Sequence, residues 1–181
     1  CGSPHSMSMA DNDWYSTLTS PSRTASIAIL VLGMWVILLT IVNLVNGAYY
    51  GEKALWLGFI SNGSFGDIYT EHDGISIVLD DIVFGILGSI FMAGGIMGIG
   101  SAFEGGIGGW IKDLPNSFSG LSSTEGGARK SVADWLIVLG LVFYFGWSIQ
   151  NNAWIDPGVF AVSITPFAFG VGLNLLDSAE S

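Results

Sequence analysis

Cysteine is almost absent. The single Cys1 rules out an internal disulfide and any cysteine-based metal cluster. Charge is scarce as well: 11% of the 181 residues are charged, against about 25% in soluble globular chains. Bases are the scarcer sign, five against fifteen acids, for a formal charge of −10. A chain so poor in lysine and arginine lacks the basic surface that nucleic acid requires. The two histidines, His5 and His72, are too few for bis-histidine haem, because His5 falls in a segment that reads as vector-derived. No GxSxG, HExxH or phosphate-binding loop occurs, and Asp80-Asp81 lacks the further aspartate of a prenyl-diphosphate motif. Without a nucleophile–base pair or a metal set, the expectation is a non-enzymatic protein with no cofactor and no metal.

What is abundant is apolar. Half of the residues are hydrophobic, and the mean hydropathy is +0.59. They come in long blocks rather than at amphipathic spacing, and a bilayer crossing needs ~20 such residues. Four blocks qualify, at about residues 25–45, 80–103, 132–149 and 157–176. The expected fold is an all-α integral membrane protein, a four-helix transmembrane bundle occupying residues 20–181 as one domain. Residues 1–19 read as a tag remnant followed by a polar segment, with Met9 as the native start and Trp14 and Tyr15 as interfacial anchors. A mature lipoprotein beginning at Cys1 is the alternative.

The second block, DDIVFGILGSIFMAGGIMGIGSAF, organises the rest. At helical spacing Gly85, Gly88 and Gly95 share a stripe with Asp81, while Gly94, Gly98 and Ser101 form a second stripe. Small residues let helices approach closely in lipid, and Gly94-x-x-x-Gly98 has the minimal spacing. Two small faces predict a central helix packed on both sides.

Start signals accompany the blocks. Ser20 with Pro21 opens the first, Ser131 with Asp134 forms a capping box at the third, and Asp156 before Pro157 opens the fourth. Pro166 is expected to kink that last helix. Residues 104–130 are glycine- and serine-rich and read as a flexible link. Residues 54–60, ALWLGFI, are too few to cross and are expected to lie on or dip into the membrane surface.

Counting bases near the membrane puts Arg23, Lys112, Arg129 and Lys130 on one side and Lys53 on the other. The positive-inside rule then places both termini on the cytoplasmic side. Asn62-Gly63-Ser64, an N-glycosylation sequon, falls outside. The acidic excess suits a protein of high-salt surroundings, in the plasma membrane or a virion envelope of a halophile; an acidic mesophile is the alternative.

Acids at membrane depth are functional suspects by default. Asp80, Asp81 and Asp134 are the candidates, each with a competing reading as a helix cap. His72 with Asp67, Glu71 and Asp73 is a candidate oxygen-rich cation patch, or simply a solvated acidic loop. The expected function is a structural or assembly subunit of a larger membrane assembly, with lipids and protein partners or further copies of itself as its contacts. The alternative is a small oligomeric ion or proton channel or carrier using Asp80 or Asp81, with the Pro166 kink as its gate.

Overall fold

The computed structural model describes residues 22–119 and 127–180, so Cys1, His5, Trp14, Tyr15 and the Ser20-Pro21 start signal lie outside the described residues. Helix α1 spans Arg23–Asn46, and strand β1, Glu52–Ala54, pairs antiparallel with β2, Tyr69–Glu71. Between the strands lies the short helix α2, Trp56–Ile60. Four helices follow: α3 Leu79–Ala102, α4 Gly106–Ser119, α5 Gly127–Asn151 and α6 Pro157–Glu180. Four helices among the described residues (α1, α3, α5 and α6) are long and apolar enough to cross a membrane.

Ser22 caps α1, its hydroxyl accepting from Ala25 N at 3.2 Å. One start differs from expectation. Helix α5 begins at Gly127, which leaves Ser131 and Asp134 inside it rather than in a capping box. A helix runs on until its backbone bonding is interrupted, and Ser131 does not interrupt it. Helix α6 does begin at Pro157, with Asp156 Oδ1 accepting from Val159 N at 2.9 Å. It continues through Pro166, where Thr165 donates its hydroxyl to Ala161 O at 2.8 Å.

Among the described residues, one compact unit comprises the chain up to Ile37 with Ile86–Leu114. Here α1 and α3 meet through glycine. A Cβ on Gly95 would sit 2.5 Å from Leu30 N, and one on Gly33 would sit 2.4 Å from Met92 N. Backbone therefore touches backbone, the close approach that small residues permit. At one end Arg23 donates Nε to Ala102 O at 2.9 Å and lies 5.0 Å from the Phe103 ring centroid. A cation there complements the C-terminal end of α3.

The two small-residue stripes of α3 differ among the described residues. Gly88 and Gly95 face α1, whereas Gly94 has nothing within 4 Å. Gly98 is buried, and the exposed Ser101 donates back to Gly98 O at 2.9 Å.

The second unit comprises Leu38–Gly85 and the chain from Pro115. Helices α5 and α6 pack through the same device: a Cβ on Gly170 would lie 2.4 Å from Ala133 O and one on Gly140 2.6 Å from Ser163 O. The connection from Asn151 to Asp156, whose ends read as a tight polar turn, is apolar and covered at its centre. Ala153, Trp154 and Ile155 are buried. Trp154 N donates to Ala48 O at 3.0 Å, and Tyr50 N donates to Asn152 O at 2.8 Å. Tyr144 donates its hydroxyl to Trp154 O at 2.9 Å. The loop's backbone is thereby satisfied against residues 46–50, as burial requires.

Candidate functional site

The region around β1 carries the densest polar arrangement among the described residues. Asn43, three residues before the end of α1, is fully buried. Its Oδ1 accepts from Ala54 N at 2.7 Å and Ala48 N at 3.3 Å. Its Nδ2 donates to Ala54 O at 2.9 Å and to Asp81 Oδ1 at 3.0 Å. One amide thus fixes the chain ahead of β1 and at the last residue of β1, after Gly47, at φ +71°, has ended the helix.

Strand β1 delivers Lys53 beneath this amide. Its Nζ lies 2.7 Å from Asp81 Oδ2, with side-chain exposures of 2% and 3%, so the pair is sealed from water. Lys53 Nζ also donates to Ser76 O. Asp81 is saturated: Oδ1 additionally accepts from Trp56 Nε1 at 3.2 Å, and Oδ2 from Val78 N at 3.3 Å. The last contact reaches back from the third residue of α3 to the residue that precedes the helix, half of a capping box. Asp81 is therefore both cap and ion-pair partner. A charge this deeply buried is tolerated only when paired and hydrogen-bonded.

Asp80, next to it, turns the other way. Its Oδ2 accepts from Leu57 N at 3.1 Å, supplying the side-chain cap that Leu55 does not give α2. The Trp56 ring stacks on Phe84 with centroids 4.2 Å apart and planes 7° from parallel. Helix α2 is thus held at the level of the first turns of α3. Leu57 and Ile60 remain 56% and 70% exposed, while Trp56 is buried.

The acidic loop does not form the cation patch. His72 Nε2 donates to Leu44 O at 3.1 Å, pinning the ring to the end of α1. No group of three metal-capable side chains converges among the described residues. Asn62 is exposed at φ +51°, between Ser61 and Gly63 in a tight turn.

Elsewhere Tyr50 donates its hydroxyl to Asp156 Oδ2 at 3.1 Å, and that bond holds its phenol above the ordinary tyrosine range. Tyr69, stacked 4.4 Å from Tyr49, is raised too, first by burial and then by the charge of its neighbours. Both phenols consequently stay neutral through the physiological range, and the Tyr50–Asp156 bond does not switch there.

Asp134 has its own partners. Lys130 Nζ lies 2.9 Å from Oδ2, one helical turn earlier, and Asn174 Nδ2 donates to Oδ1 at 3.0 Å. This ties α5 to α6 across their packed faces. An apolar groove of about 320 Å³ beside Ile41, Val45, Ile149 and Trp154 contains no titratable group.

Lys53, Asn43 and Trp56 are the residues that reading along the chain missed as partners of Asp81. The available signal was that Lys53 is the one base on its side of the predicted membrane. No family model matches the chain, and no curated protein or solved structure shows detectable similarity to it.

Proposed function

We infer that this chain is a non-catalytic membrane protein with four spans, α1, α3, α5 and α6, and both termini on the cytoplasmic side, working as an assembly subunit of a larger membrane complex. One contrast carries the reading. Among the described residues the polar groups at helix ends are used internally, while the apolar helix faces are left largely uncovered. Within the four spans only 17–28% of the most apolar window is buried, and Gly94 presents a backbone-deep notch on the open face of α3. In lipid such a notch favours another helix over acyl chains, because close backbone approach gains dispersion contact. The partner is a helix of another subunit or of a second copy.

Conduction fits less well. A relay group needs an open lone pair or an exchangeable proton facing water. Asp81 is 4% exposed, with both oxygens engaged.

Native mass spectrometry after release in mild detergent tests the proposal. The expected result is a stoichiometric assembly that Gly94→Leu dissociates while the released subunit stays folded. A monomer that carries ions across liposomes, with flux lost in Asp81→Asn and kept in Asp134→Asn, would replace this reading by the channel.

A further inference from the structure

Helix α4 occupies the stretch whose glycines predict a flexible link. It is helical, and its composition is divided by face. Ile107, Trp110, Ile111 and Leu114 recur at the spacing i, i+3, i+4, i+7, an apolar stripe about 100° wide. Lys112 and Asp113 fall on the opposite face and are exposed. Among the described residues the stripe is incompletely covered: Ile111 is 53% exposed, and Ile107, Trp110 and Leu114 are half-buried.

The connection to α3 fixes where this stripe lies. Only residues 103–105 separate the helices. Gly105 and Gly106 take φ +81° and +60°, which side chains resist. Gly109 leaves room for Glu104 O, 2.2 Å from where a Cβ would stand. A Cβ on Gly106 would lie only 3.8 Å from Gly100 Cα, whereas a continuing helix would put those residues about 9 Å apart along its axis. The chain therefore breaks sharply, and α4 starts beside the last turn of α3 instead of extending it. Arg23 marks the same level, with its guanidinium on Ala102 O and the Phe103 ring.

From this geometry we propose that α4 lies flat in the headgroup–acyl boundary of the leaflet where α3 ends, its Ile107–Trp110–Ile111–Leu114 stripe bound to lipid. The occupant is the membrane itself rather than a protein. The stripe begins at the depth where a spanning α3 leaves the hydrocarbon, and Trp110 is of the type that favours that boundary. Arg23 and Lys112 stand ready for lipid phosphates. The assignment rests on the four-span reading of α3. It adds an anchor that sets the depth and tilt of that helix, which no crossing segment supplies.

Spin labels at single cysteines, in a Cys1→Ser background, test it in vesicles of phosphatidylcholine and phosphatidylglycerol. Position 111 is expected to collide more with oxygen than with a water-soluble nickel chelate, and position 113 the reverse. Position 90, where Ile90 is 60% exposed in the middle of α3, serves as the internal reference and is expected to be the most oxygen-accessible of the three. If position 111 meets the chelate as freely as position 113, α4 is a solvated linker. If it is shielded from both reagents, protein covers the stripe. Either result overturns the proposal while position 90 stays in lipid. Chelate access at position 90 would instead overturn the four-span reading, and this proposal with it.

Discussion

Asp81→Asn is expected to destabilise the protein by about 3–5 kcal/mol, because it leaves the Lys53 ammonium buried without a counter-charge. The substituted amide can still accept from Trp56 and Asn43 through its oxygen, so most of the loss belongs to the charge. Lys53→Met should also be costly, since it strands the carboxylate in the same sealed site. The double substitution is the informative variant. With both charges gone, the methionine refills the volume of the lysine stem and the asparagine keeps the acceptor for the indole. Recovery of about 2 kcal/mol or more relative to the sum of the single changes is expected. Thermal unfolding of the four proteins in one detergent measures the cycle. Additive losses would mean that the two side chains do not meet.

Gly95→Val should separate α1 from α3. Its new Cβ would stand 2.5 Å from Leu30 N and 2.6 Å from Leu30 Cα, and both are backbone atoms that no rotamer change can move. Overpacking in a core typically costs about 1–3 kcal/mol, occasionally more. A backbone clash at the seam of two helices belongs at or above the upper end. Gly94→Ala is the control on the same helix, one residue away. Its Cβ meets nothing within 4 Å, and alanine favours helix over glycine by up to about 1 kcal/mol. The control should therefore be neutral or mildly stabilising in the isolated subunit. Equal damage from both substitutions would contradict the seam.

Both predictions show what the chain discloses and what it conceals. Long uncharged blocks are a property of composition along one segment, so residues 25–45 and 80–103 locate α1 and α3 to within two residues at either end. The stripe of Gly88 and Gly95 likewise follows from helical periodicity alone. The start of α5 does not, because a serine and an acid three residues apart are as compatible with a helix interior as with its cap. Lys53 escaped for a different reason. It is 28 residues from Asp81, and the pairing of β1 with β2 that brings it there depends on two three-residue strands. Strands that short carry no readable alternation. Helix α4 was obscured by glycine: four glycines in five residues argue for flexibility, yet the apolar spacing of Ile107, Trp110, Ile111 and Leu114 was legible throughout.

The partners of Asp81 also bear on why so apolar a chain keeps a buried ion pair. Such a pair contributes little net stability compared with apolar residues of the same volume. What it does here is select one arrangement. Asn43 near the end of α1, Lys53 on β1 and Asp81 in the first turn of α3 converge on one another there. A shifted register would strand a charge.

Membrane-impermeant labelling of single cysteines in sealed vesicles, in the Cys1→Ser background, tests the central claim most directly. Positions 22 and 112 should react from one side of the membrane and position 64 from the other, because on the proposed four-span reading α1 and α3 each cross once. Reaction of positions 64 and 112 from the same side would contradict the account.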